Sequence, residues 1–211
     1  MNASFAAARR IFLVACLLPG IVFLNPHEAR AAGSPKAELS SSVDEVIRVL
    51  SDKSADDESK RHRVVALVDT RFDFREMTKR VLATNWRSAN KEQRRAITKL
   101  FRELLSNTYW RRMAGYKGEQ VGYTGEAIRN DVYATVNTAI ATANGPIPVD
   151  YKLHLKKKKD KWLVYDVVIE QVSLVRNYRG EFYDIVKNKG IDGLIVELEK
   201  KVGQTGAVPS K

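Results

Sequence analysis

The segment from Trp162 to Phe182, W-L-V-Y-D-V-V-I-E-Q-V-S-L-V-R-N-Y-R-G-E-F, changes hydrophobic period partway along, so the chain passes here from a strand into a helix. From Leu163 to Ile169 the apolar set Leu163, Tyr165, Val167 and Ile169 alternates with Val164, Asp166, Val168 and Glu170. That is the pattern of a strand with one strongly apolar face. After Val172 the apolar residues fall at Leu174, Val175, Tyr178, Phe182, Ile185 and Val186, with Ser173 placed as an N-cap. The helix therefore folds back over the sheet.

Three more strands precede this one. Val121 to Arg129 is followed by an Asn130-Asp131 turn and a second strand from Val132 to Thr142, in which Val132, Ala134, Val136 and Ile140 share a face. Ala143-Asn144-Gly145-Pro146 makes the next turn. Val149, Tyr151, Leu153 and Leu155 then alternate with Asp150, Lys152, His154 and Lys156, one dry face against one wet. The run Lys156 to Lys161 closes the last hairpin as a solvated tip. Four strands on short turns form an antiparallel meander.

Helices fill the first half. Residues 32–38 read as a loose leader, after which Val43, Val46, Ile47 and Leu50 form one helical face with Ser41 or Ser42 as cap. A second helix runs from the acids Asp56, Asp57 and Glu58 through Val64, Val65, Leu67 and Val68. Both carry a structural role in this reading. Asp73 caps a third, with Phe74, Met77, Val81 and Leu82 inward and Trp86 beyond its end. The longest stripe follows Asn90: Ile97, Leu100, Phe101, Leu104, Leu105, Thr108, Tyr109 and Met113 predict a long helix packed against the sheet. Its other face, Lys91, Arg94, Arg95, Lys99, Arg102, Arg111 and Arg112, reads as solvated. Lys189-Gly190 breaks the helix after Ser173, and Ile191, Leu194, Ile195, Leu198 and Val202 give one more before a polar tail from Gly203, expected to be disordered.

The first 31 residues belong to export rather than to the fold. Arg9 and Arg10 precede an apolar run from Ile11 to Leu24, and Ala29-Arg30-Ala31 supplies a cleavage site. The run is too short for a spanning helix, which needs roughly 20 residues. Leu13-Val14-Ala15-Cys16 has the look of a lipoprotein box, but Cys16 sits inside the apolar core of the signal. Cleavage after Ala31 would remove the single cysteine, and with it disulfides and thiol chemistry. It would also remove three arginines and one glutamate, taking the net charge from +11 to +9. Such a charge suits anionic headgroups or an acidic partner; nucleic acid is the less natural partner for an exported chain.

No catalytic constellation assembles. His62 and His154 read as surface residues, and the nucleophile-elbow, zincin, phosphate-loop and dinucleotide motifs are all missing from the sequence. Asp166 and Glu170, on one strand face near basic residues, are the most enzyme-like pair; ion pairing with Arg176, Arg179 or strand lysines is the alternative. What stands out is an apolar surplus on the long helix and on the sheet. Periodicity leaves open whether these faces close as solid core or leave a cavity.

The stretch Asp166 to Arg179, D-V-V-I-E-Q-V-S-L-V-R-N-Y-R, closely resembles the signature of the MlaC or toluene-tolerance family of periplasmic phospholipid-binding proteins. Phe72-Asp73-Phe74 with Met77, Trp86-Arg87 followed by Lys91-Glu92-Gln93-Arg94, and Phe101-x-x-Leu104-Leu105-x-x-x-Tyr109 resemble the family's helical half in the same order. The likeness covers nearly all of residues 40–200, and Gln171 departs from it where glycine is usual.

This resemblance implies an α+β fold, a twisted four-stranded antiparallel sheet wrapped by about six to seven helices. It is related to nuclear-transport-factor and cystatin-like architectures and encloses an apolar pocket. A signal peptide (1–31), one lipid-binding domain (32–203) and a short tail (204–211) make up the chain. The implied function is that of a monomeric periplasmic carrier of phospholipid cargo, without a cofactor. Its implied partners are an outer-membrane lipoprotein and porin complex, and an inner-membrane ABC transporter complex with a membrane-anchored lipid-binding subunit.

From the apolar face of each element, the pocket is expected to be lined by Met77, Val81, Trp86, Leu105, Tyr109, Met113 and Val136. Tyr151, Leu153, Tyr165, Val167, Ile169, Leu174 and Tyr178 complete the expected set. Two alternatives stay open: an enzyme of the same fold with Asp166 as a base inside a small cavity, and a ligand-free adaptor whose apolar faces simply pack.

Overall fold

Small polar side chains set the starts of the helices. In the computed structural model, which describes residues 33–206, Ser34 accepts from Ala37 N and opens α1 (Pro35–Leu50). Asp56 opens α2 (Asp57–Arg71) through Ser59 N, and Asp73 opens α3 (Phe74–Leu82) through Glu76 N. A single turn, α4 (Asn85–Ser88), leads to α5 (Lys91–Ala114), where Asn90 and Gln93 bond reciprocally in a capping box. The expected leader is thus helical from Pro35 onward. Proline at the first helical position supplies the right φ and lacks only an N–H that would have no partner there. The expected export segment, residues 1–31, lies outside the described residues.

The sheet runs β1 (Val121–Arg129), β2 (Tyr133–Thr142), β3 (Gly145–Lys156), β4 (Lys161–Ile169) and β5 (Val172–Ser173), antiparallel and in chain order. The meander is as expected, with a fifth, two-residue strand added. Glu170 and Gln171 make the turn between β4 and β5 with φ of 48° and 70°, the left-handed pair of a tight hairpin. The glycine usual in the family at Gln171 therefore has a backbone reason.

One irregularity reorganises the faces. Lys152 pairs with Asp166 but Leu153 pairs with Val164, so Tyr165 is an extra residue bulged out of β4. Directly paired residues share a face. The face of Val149, Tyr151 and Leu153 therefore continues through Ile169, Val167 and then Val164, rather than through Tyr165 and Leu163. The strict alternation read from the sequence fails at this point.

After Ser173, whose hydroxyl accepts from Arg176 N, α6 (Leu174–Gly206) is broken at Gly190 (φ 72°, ψ −177°), where the sequence marks the break. Its two arms form a helical hairpin tied by Lys201 to Glu181 at 2.5 Å. The second arm runs on through Gly206, past the Gly203 at which the tail was expected to begin; residues 207–211 lie outside the described residues. Among the described residues no helix is long and apolar enough to cross a membrane.

The interior has two halves. Around the first half of α5, Ile97, Phe101 and Leu104 pack with Phe182, Leu194 and Leu198 of α6, all nearly inaccessible to solvent. Phe101 meets Phe182 edge-on at 5.4 Å. The second half of α5 does not press on the sheet as expected. A cavity separates them.

Candidate functional site

The cavity has a volume of about 490 Å³, within the range of about 300–1,000 Å³ usual for small-molecule sites. Four walls enclose it. α5 supplies Leu105, Tyr109 and Met113; α1 supplies Leu39, Val43, Val46, Ile47 and Leu50; α2 supplies Val64, Val65 and Val68; and the sheet supplies Val149, Tyr151, Val167 and Ile169. Leu39, Val64, Met77, Leu105 and Val149 are buried and form the floor. Leu50, Met113, Tyr116, Val121, Thr142 and Ile147 are partly exposed and form the rim. The mouth thus opens where α1 and α5 end and the β2–β3 hairpin turns.

Polar groups in the wall are few and mostly occupied. Arg71 reaches the cavity from the end of α2, but its guanidinium donates to Glu38 Oε2, Ser42 Oγ (2.8 Å) and the Trp162 carbonyl (3.1 Å). Arg112 and Glu119 stand at the rim. Burial pushes the phenols of Tyr151 and Tyr109 above their ordinary range, so both stay neutral and act as apolar wall with a polar tip. Such a wall accepts long apolar chains and excludes charge.

Of the fourteen residues expected from sequence, Met77, Leu105, Tyr109, Met113, Tyr151, Val167, Ile169 and Leu174 meet around the cavity. The other six sit elsewhere. Val81, Val136 and Leu153 are in solid core, essentially inaccessible. Trp86 is held between the guanidinium groups of Arg75 and Arg94, at 5.5 and 5.2 Å, and Tyr178 packs edge-on against Phe101 at 5.1 Å. Tyr165, turned by the bulge, lies on the opposite sheet face beside Tyr133 and His154. The largest omission is the wall from α1 and α2, given a structural role from sequence. Its signal was present in the Val43, Val46, Ile47 and Leu50 stripe, whose only unknown was what it faced.

The enzyme-like pair is structural. Asp166 is 5% exposed, accepts from Ser173 Oγ at 2.7 Å and from Val175 N at 3.1 Å, and so fastens the start of α6. Lys152 Nζ is 3.9 Å away. Glu170 belongs to the turn.

Nor is His154 a surface residue: it lies 3.2 Å from Asp73, to which Lys156 Nζ donates at 2.8 Å. The His154 and Lys156 bonds hold the Asp73 carboxyl well below the usual carboxylate range. Much of the basic face of α5 is also engaged. Arg94 donates to the Trp86 carbonyl, Arg102 forks onto Asp69, and Arg112 covers Tyr109.

The family model described as "MlaC protein" matches residues 40–200. The chain belongs to the MlaC family. It is 27% identical over 128 residues to the intermembrane phospholipid transport system binding protein MlaC of Haemophilus influenzae, an alignment covering 59% of this chain and 60% of that one. The chain thus spans less than two thirds of that curated relative.

Among solved structures it is similar to a phospholipid-binding protein from Ralstonia solanacearum in complex with a phospholipid. The TM-score is 0.75 and the identity 25%, over 84% of this chain and 99% of that one. The names of both of these similar proteins are those of phospholipid-binding proteins and not of enzymes. The buried, helix-capping position of Asp166 accords with that.

Proposed function

We propose that this protein carries phospholipid in the periplasm, with acyl chains in the cavity and the headgroup in water at the rim. It would pass that cargo between an outer-membrane lipoprotein and porin complex and an inner-membrane ABC transporter complex. The observation that carries the reading is the apolar cavity of about 490 Å³, in a fold shared with a protein solved in complex with a phospholipid. The two membrane complexes are taken from the family's transport role, which the name of the Haemophilus influenzae relative supports.

The physics favours enclosure. Exposing an acyl chain of about 16 carbons costs on the order of 12 kcal/mol, at about 0.8 kcal/mol per methylene. A surface groove leaves much of that cost standing. Walls on four sides remove most of it, whereas the charged headgroup is cheaper to leave in water. Selectivity then rests more on chain volume than on head chemistry.

Native mass spectrometry of protein purified from the cell envelope, followed by organic extraction, tests this. A bound diacyl phospholipid is the expected result. Folded protein that stays lipid-free after incubation with phospholipid vesicles would overturn the reading.

A further inference from the structure

Resting on the phospholipid reading, we propose that Arg112 and Glu119 form a headgroup site at the mouth, Arg112 taking the lipid phosphate and Glu119 the ammonium of a zwitterionic, amine-bearing head. The first observation is which charges the wall leaves uncommitted. Of the residues that line the cavity, three are charged: Arg71, Arg112 and Glu119. Arg71 is already engaged by Glu38, Ser42 and the Trp162 carbonyl. The other two are not.

Arg112 is exposed in the last turn of α5, with its guanidinium over the Tyr109 ring at 5.7 Å. Stacking on a ring occupies the face of a guanidinium, so its in-plane N–H groups stay free for a phosphate. Among the described residues Arg112 has no ion-pair partner. Glu119 is half-buried, and its Oε2 accepts from Lys117 N at 2.7 Å. That bond fastens the carboxylate to its own loop and holds its pKa below the ordinary value. The Lys117 ammonium favours the charge without pairing with it. Glu119 is therefore a fixed anion without a cation of its own.

The second observation is position. Both residues belong to the segment that joins α5 to β1, with the rim residues Met113 and Tyr116 between them and Val121 just beyond. A lipid with its chains in the cavity and its head in water brings its phosphate, and the amine a two-carbon spacer away, to this level. Arg112 and Glu119 do not pair with each other, so a head of opposite polarity can lie between them. An ethanolamine head answers both charges. A glycerol head answers only Arg112 and sets an anion before Glu119. Exposed ion pairs contribute little each, so the rim adds a modest filter to the larger one of chain volume.

The test is a competition between phosphatidylethanolamine and phosphatidylglycerol with the same chains, in equal amounts in one vesicle, with the bound fraction read by native mass spectrometry. Sharing one vesicle makes the attraction of the basic protein to its surface common to both. Wild-type protein is expected to favour phosphatidylethanolamine about threefold, the size of one exposed ion pair, and high salt should erode that preference. Glu119→Gln, which can still accept from Lys117 N, should bring the ratio close to one without lowering the total load. Arg112→Gln should lower uptake of both lipids and keep their ratio, since both carry the phosphate.

Equal uptake of both lipids by wild type would overturn the headgroup site and leave the carrier reading intact. Uptake of neither would overturn both. A preference kept by Glu119→Gln, or one that high salt leaves untouched, would also overturn the assignment. Glu199→Gln is the control, removing the same charge from an exposed position outside the cavity wall: loss of the preference there would show an effect of net charge and overturn the site.

Discussion

The guanidinium carbon of Arg80 lies 4.0 Å from the centre of the Tyr165 ring. This stacking exists because the bulge in β4 turns Tyr165 away from the cavity and toward Tyr133 and His154. Tyr165→Ala should therefore cost about 2 kcal/mol of stability, from lost packing and the lost cation–π contact. Urea unfolding measures that loss, and extraction should find the lipid load of the folded variant unchanged. An emptied cavity would mean that the bulge is misplaced.

Val46 and Leu153 separate wall from core. Val46 faces the cavity and is partly exposed, whereas Leu153 is wholly buried in packed side chains. Val46→Glu should fold with normal helix content, because its carboxylate can reach the mouth, yet lose most bound lipid. Leu153→Asp should fail to fold, since a charge there finds neither water nor partner. Circular dichroism and extraction on both variants check the distinction.

Asp73 gives the acid limb of stability a specific source. Its carboxyl is held below the ordinary value of 3.8 by His154 and Lys156. A group with a depressed folded pKa stabilises above the unfolded value and loses that contribution as pH falls toward the folded one. Wild type should therefore weaken progressively below about pH 4. Asp73→Asn, which can still cap α3, should be weaker than wild type at pH 7 and nearly equal to it at the acid extreme. Chemical denaturation across that range reads the gap.

Asp166 ties β4 to the start of α6, so its loss should be felt as instability alone. Asp166→Ala removes the acceptor for Ser173 Oγ and Val175 N and should cost about 2 kcal/mol. Lipid loading of the folded fraction should persist. A variant that is fully stable but unable to load would contradict the structural assignment.

Gln171 holds a left-handed backbone at φ 70° without being glycine. Gln171→Gly should raise stability by about 1 kcal/mol by relieving that conformation. A melting temperature that falls instead would show that the Gln171 side chain makes a compensating contact.

Most of the architecture was legible in the sequence because caps and periodicity are local. Asn90 with Gln93, Asp73 before Phe74 and Ser173 before Leu174 each mark a helix start that the structure keeps. Gly190 marks the break between the two arms of the last helix for the same reason. The site was half legible. A bulge is a property of pairing between two strands, and nothing in the β4 residues alone distinguishes Tyr165 facing the cavity from Tyr165 facing Arg80. α1 and α2 were seen as amphipathic helices, but whether an apolar stripe meets solid packing or empty space is decided by elements distant in the chain. Leu105 and Leu104 illustrate this: adjacent on one helix, one lines the cavity beside the sheet and the other does not.

The third strand links two dissimilar poles. Gly145 begins it beside the mouth, and eleven residues later Lys156 ends it at the hairpin where Lys157, Lys158, Lys159 and Lys161 are exposed, a span of roughly 37 Å. Charge concentrated at one end of a strand exerts a torque in the field of a negative surface. An acidic surface that attracts this tip turns the opening away from itself, so that under the proposed carrier function capture and hand-over of cargo would be different orientations of one molecule.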